Sequence, residues 1–181
     1  MPSDDNKDVK ASETKTELDF DTTVAEFEGP LLRYASRLLN NSKAAEDVVQ
    51  TAFIKLFKAW HTTSFNTDRM SSWLYRVTHN AAIDHIRKES RRRDLHKRHR
   101  DEQDVTGRKA DTAPPPISDA AATAAQLLNE LSIRDREVVI LKIYEEKSYR
   151  EISEITGLTE GNVGYILHHS LKKLSAGLKS S

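Results

Sequence analysis

Pro114, Pro115 and Pro116 stand in a row, and neither a helix nor a central strand can run through them. Each ring locks φ and removes a backbone donor, so the segment around them has to be extended and solvated. On either side of it, apolar residues recur at steps of three and four, and no stretch alternates with the period of a strand. The expectation is an all-α protein of two small helical domains joined by a flexible linker over 101–119. The first domain spans 22–100 and the second 120–178. Residues 1–21 are polar, acidic and aperiodic, the pattern of a disordered tail. A length of 181 residues suits two small cores.

The formal net charge is zero, but the charge is unevenly placed. Residues 1–28 hold nine acidic against three basic side chains, and residues 85–100 hold eight Arg and Lys against two acidic ones. A dense local basic block is the form of charge that meets phosphate, whatever the total. The chain has no cysteine, which excludes disulfides and thiolate metal sites. No apolar run approaches the ~20 residues of a membrane span, and the N-terminus lacks the basic-apolar order of a secretory signal. These features lead to the expectation of a cytoplasmic protein without membrane insertion. His96 with His99, and His168 with His169, have no carboxylate cluster or ordered triad beside them. They read as solvated histidines, so no metal, no cofactor and no enzyme activity are expected.

Along the first domain, Val24, Phe27, Leu31, Leu32, Ala35, Leu38 and Leu39 mark a helix over 22–40, with Gly29-Pro30 as a point where it could break. Ser42 is the expected cap of a second helix over 43–60. Ala45, Val49, Ala52, Phe53, Leu56 and Trp60 form its inner face, while Asp47, Gln50, Ile54 and Lys58 lie opposite. Ile54, apolar among polar neighbours, is either one of the singly exposed apolar residues common on protein surfaces or part of a partner surface. Residues 61–72 read as a loop, and a third helix starts near 71 and fades near 94.

That helix contains "SSWLYRVTHNAAIDHIRKESRRR", residues 71–93. At 100° per residue Trp73, Arg76, Asn80, Asp84, Arg87 and Arg91 fall on one stripe, with Lys88 beside it. Leu74, Val77 and Ala81 flank it, and Tyr75, Ile83 and Ile86 supply apolar surface elsewhere. Guanidinium groups grip phosphate, an indole can stack on an unpaired base, and an amide can bond a base edge. The set suits DNA whose bases are partly exposed.

In the second domain "SYREISEITGLTEGNVGYIL", residues 148–167, has the form of a helix-turn-helix. Ser148 and Glu151 make a capping box, Gly157 supplies a left-handed turn position, and Thr159 caps the next helix. Val163, Leu167, Ser170, Leu171 and Leu174 are expected to face inward. Ser132 is the expected cap of a supporting helix in "LSIRDREVVILKIY".

Taken in order, these segments resemble the sigma-70 family of bacterial RNA polymerase sigma factors, in its compact extracytoplasmic-function group, over about 22–178. "AEDVVQTAFIKLFKAW" resembles the core-polymerase-binding helix, 71–93 the promoter-melting and minus-ten-reading helix, and "LSIRDREVVILKIYEEKSYREISEITGLTEGNVGYIL" the minus-thirty-five domain. The resemblance implies core RNA polymerase and promoter DNA as partners, with an anti-sigma factor as a further one. It assigns Asp47, Gln50 and Ile54 to polymerase. Trp73, Arg76, Asn80, Asp84, Arg87, Lys88 and Arg91 go to the minus-ten region, with Asn80 lining a pocket for flipped-out bases formed with the preceding loop. The chain departs from the family where its recognition helix usually carries several basic residues. Those places read Gly164, Ile166, His169 and Leu171. The residues left for minus-thirty-five contact are Asn162, Tyr165, His168, His169 and Lys172. A stand-alone helix-turn-helix regulator would account for 148–174 but not for the stripe at 73–91.

Overall fold

The computed structural model describes residues 19–60, Thr62, 67–100 and 119–180. Most of the acidic tail, the start of the loop after Trp60 and the linker around the prolines lie outside the described residues. Among those described, the structure is seven helices and no strand. They are α1 (Phe20–Leu39), α2 (Ser42–Trp60), α3 (Thr67–Arg100), α4 (Asp119–Asn129), α5 (Ile133–Ile143), α6 (Tyr149–Thr156) and α7 (Glu160–Ser180).

The first three helices form one bundle. Leu31, Tyr34, Ala35 and Leu38 from α1 meet Ala45, Val49 and Leu56 from α2 and Met70, Leu74 and Ala82 from α3, all buried. Pro30 neither breaks nor restarts α1, which runs through it. The helix begins at Phe20, inside the stretch expected to be tail. Asp19 caps it, accepting the Thr22 amide at 2.9 Å, and the Phe20 ring packs edge-on against Phe57 and Trp60. The cap of α2 is Asn41, whose side-chain oxygen accepts the Ala44 amide at 2.9 Å. Ser42 is the first helical residue instead.

Helix α3 departs from expectation at both ends. It starts at Thr67, so 67–72 are helix and not loop, because Met70 and Leu74 are fully buried and draw the first turn onto the core. It continues past 94 to Arg100. Its later residues are mostly good helix formers, with Arg87 paired to Asp84 and Arg92 to Glu89 one turn back. At 34 residues it is about 50 Å long.

The second unit is held by Leu128, Leu131, Val138, Ile140, Leu141, Ile152, Ile155, Val163 and Leu167. Ser132 caps α5 by accepting the Asp135 amide. The α6 capping box is complete: Ser148 Oγ accepts the Glu151 amide, and the Ser148 amide and hydroxyl donate to Glu151. Burial alone would push the Glu151 carboxyl up, but those two Ser148 bonds and the Lys147 ammonium together hold it below the usual range. Gly157 ends α6 at φ +75°, a conformation only glycine takes at little cost. Ser153 Oγ closes the turn by donating to the Leu158 carbonyl at 2.5 Å. Thr159 Oγ1 then accepts the Asn162 amide. Leu171 does not face inward; it is 43% exposed. The inward stripe of α7 runs through Val163, Leu167 and Ser170, and Leu171 lies 100° past its edge.

Candidate nucleic-acid and partner interfaces

On α2, Asp47, Gln50 and Ile54 lie one turn apart and all reach solvent. Ile54 is 50% exposed, and Phe57, one turn on, is 62% exposed. They line a groove of about 560 Å³ with Phe20, Phe53, Glu28 and Glu46. The floor is aromatic and aliphatic, and three carboxylates stand around it. Such a surface suits a helix that offers apolar side chains with basic flanks. Phe57 and Phe20 were missed by sequence reasoning. Phe57 sits next to the inner-face residue Leu56 and passes for core, and Phe20 sits in a polar stretch. Only the exposed position of Phe57, beside Ile54 on the outer face, could have signalled it.

On α3, Arg76, Asn80, Asp84, Arg87, Lys88 and Arg91 are exposed along one side. Trp73 is half-buried, packed against the core cluster, so its indole is held by the bundle at the head of the stripe. Asp84 holds Arg87 at 3.8 Å and so moderates the positive charge there. The expected base pocket includes residues 61 and 63–66, which lie outside the described residues. Thr67, Asp68 and His96–Arg100 are helical, but their side chains are likewise not described.

The other side of α3 is occupied. Ser71, Tyr75 and His79 lie about half a turn from the exposed stripe and meet the second unit. Tyr75 donates its hydroxyl to Glu145 at 2.6 Å. His79 Nδ1 lies against Glu137 Oε1, which also accepts the Tyr34 hydroxyl at 3.2 Å. Burial and the Glu137 carboxylate push the Tyr34 phenol well above its ordinary range. Burial and the hydrogen bond to Glu145 push Tyr75 up as well.

On α7, Asn162, Tyr165, His168, His169 and Lys172 are all exposed. Tyr165 is 65% exposed, and its ring lies 4.3 Å from that of His169, which in turn meets His168 edge-on. Of the four non-basic substitutions noted in this helix, Ile166 is buried and belongs to the core. Gly164 is half-buried beneath Tyr149. Among the described residues no group of three His, Cys, Asp or Glu side chains could hold a metal, and no helix is long and apolar enough to cross a membrane.

The family model for Sigma-70 region 2 matches residues 23–92, and that for Sigma-70, region 4 matches 122–174. The chain is 30% identical over 151 residues to the ECF RNA polymerase sigma factor SigW of Bacillus subtilis (strain 168), covering 79% of this chain and 80% of the relative. It is 27% identical over 166 residues to the RNA polymerase sigma-E factor of Streptomyces avermitilis, covering 90% and 87%. Among solved structures the fold matches the sigma factor RpoE in complex with the anti-sigma factor NepR from Bartonella quintana. The TM-score is 0.70 at 22% identity, over 89% of this chain and 97% of that one. It also matches CnrH in complex with the cytosolic domain of CnrY, with TM-score 0.63 at 24% identity, over 90% and 88%.

Proposed function

Since the chain belongs to the extracytoplasmic-function branch of the sigma-70 family of RNA polymerase sigma factors, we propose that three exposed helical faces, on α2, α3 and α7, divide the work of transcription initiation among them. The α2 groove around Asp47, Gln50, Ile54 and Phe57 docks core RNA polymerase. The α3 stripe holds promoter DNA at the minus-ten element. Arg87, Lys88 and Arg91 take phosphates, and Asn80 contacts a base displaced by strand opening. Trp73 stabilises the head of the stripe. Asn162, Tyr165, His168, His169 and Lys172 take the minus-thirty-five element, with aromatic and imidazole rings in place of fixed charge. The domain limits are 22–100 and 120–178, with 101–119 linking them. The work needs no catalysis by the chain itself and is carried out in the cytoplasm. By analogy with RpoE, an anti-sigma factor is a further partner.

The observation that carries this reading is the single exposed stripe of α3, an amide among guanidinium groups, on a chain that also holds a capped helix-turn-helix. A stand-alone regulator of duplex DNA has no use for such a stripe. Asn80→Ala separates the alternatives. It is expected to reduce run-off transcription by core polymerase on duplex promoters by about tenfold, the scale of one lost base contact. Templates already open at the minus-ten element should suffer much less. Equal loss on both templates would refute the base-contact role, and a fall in melting temperature would reassign Asn80 to the bundle.

A further inference from the structure

The second helix of the helix-turn-helix, α7, meets solvent with rings and an amide where a DNA-binding helix usually offers cations. Gly161, Tyr165, His168 and Lys172 recur at steps of four, three and four and make its outward stripe, with Asn162 and His169 along one flank. The Tyr165 and His169 rings lie 4.3 Å apart at 49°, so they form one plate that is in place before any ligand arrives. His168 closes its edge, with its ring perpendicular to that of His169 at 5.6 Å. Beside the stripe, Gly164 has no side chain, and the Tyr149 ring from α6 lies 3.5 Å from where its Cβ would stand.

The cations among the described side chains of α6 and α7 stand away from the first turns of that stripe. Arg150 pairs with Glu154 at 3.3 Å, and Lys173 donates to the Glu130 carbonyl at 3.1 Å. Lys172 lies ten residues beyond Asn162, about 15 Å along the axis. A helix-turn-helix reads base edges from the N-terminal end of its second helix, so Lys172 is placed for phosphate at the rim of the groove. A guanine is gripped in the major groove by two donors at once, on O6 and N7, which is the work of an arginine or a lysine. An imidazole has at most one donor per nitrogen and a phenol has one in all, so neither spans that pair of acceptors. Asn162 does fit adenine, whose N7 and N6 take its amide nitrogen and its carbonyl together. A thymine methyl needs only an apolar face, and the plate of Tyr165 and His169 supplies one.

We propose, on the strength of the sigma-factor reading, that α7 reads the minus-thirty-five element as A·T base pairs: Asn162 pairs with an adenine edge, and the plate of Tyr165 and His169 lies against a thymine methyl. Guanine is not selected at the positions these residues meet. The plate needs little ordering on binding, because its two rings already restrict each other's rotamers. Lys172 adds affinity through phosphate without choosing a base.

The test uses the full chain bound to core polymerase and a duplex promoter library randomised over the minus-thirty-five region, with the retained templates sequenced. A·T pairs should be enriched there. Asn162 and Tyr165 are exposed, so their replacement leaves the fold in place. At the position met by Asn162, a change to G·C should weaken binding about tenfold, the scale of one bidentate base contact, and Asn162→Ala should erase that difference. Uracil in place of the contacted thymine, which removes only a methyl, should weaken binding about fourfold. Tyr165→Ala should make the two bases equal, and Tyr165→Phe, which keeps the ring, should preserve the thymine preference. Selection of G·C pairs at the positions that either alanine variant alters would overturn the proposal, as would A·T enrichment that survives both variants. Templates retained with no selection in this region would overturn it too, while leaving the sigma-factor reading intact. Retention no better than that by core polymerase alone would overturn the sigma-factor reading, and this inference with it.

Discussion

Phe57 illustrates how much a single residue can conceal. On a helical wheel it neighbours the inner face, yet the fold leaves most of its ring in water beside Ile54. An aromatic held out by a rigid helix and ringed by Glu28, Glu46 and Asp47 has the makings of a binding hot spot. Phe57→Ala is expected to weaken association with core polymerase by at least about tenfold, or ~1.4 kcal/mol, while the melting temperature stays nearly unchanged. A clear loss of stability with normal association would make it a packing residue held by Phe20. Asp47, Gln50 and Ile54 were all legible in the sequence as an outward face, because the 3.6-residue period alone sorts them. Their aromatic companions were not, because Phe20 reaches the groove from another helix. Among the minus-ten residues, exposure of Arg76, Asn80 and Asp84 follows from the same period. The half-burial of Trp73 depends on which neighbours the bundle sets against it.

Elements that close their own hydrogen bonds were read most accurately. The α6 capping box, the Gly157 turn and the Ser132 cap each depend on groups within a few residues of one another. Ser148→Ala removes the acceptor for the Glu151 amide and the donor to its carboxylate, and should cost about 1 kcal/mol. For a chain of this size that lowers the melting temperature by about 2–4 °C, as scanning calorimetry would detect. The long α3 was read less well, since its start is decided by the burial of Met70 and Leu74 and not by any local signal. Its solvent-facing end carries Arg91, Arg92 and Arg93, all exposed. Replacing these three with alanine should lower the slope of log affinity against log salt by up to about three units for holoenzyme on promoter DNA, with base preference unchanged. An unaltered slope would assign the block to a protein partner or to solvation.

At the scale of the whole molecule, the contact between the two units governs how the tyrosines titrate. Tyr34 and Tyr75 have folded-state pKa values raised above the unfolded value of about 10. The neutral phenols therefore contribute stability that is fully present below that unfolded value and is lost as pH rises through the folded ones. Phenolate absorbance should show a late alkaline phase that coincides with parting of the units. The phase should vanish in a Tyr34→Phe/Tyr75→Phe variant and shrink in Glu145→Arg. A late phase that survives the double Phe variant would disconnect it from this contact. Nothing local in the chain announces the contact, for Tyr34 and Glu137 are 103 residues apart and Tyr75 and Glu145 are 70 apart. By itself the sequence determined the all-helical class, the caps of α5 and α6, the helix-turn-helix and the outward face of α3. All of these follow from backbone chemistry and periodicities that operate within a few residues. Only the tertiary structure decided which tyrosines meet which carboxylates, which aromatic rings stay in water and which side of α3 remains free. Those outcomes depend on what packs across the chain, and burial changes the cost of a charge or an exposed ring far more than the identity of its sequence neighbours does.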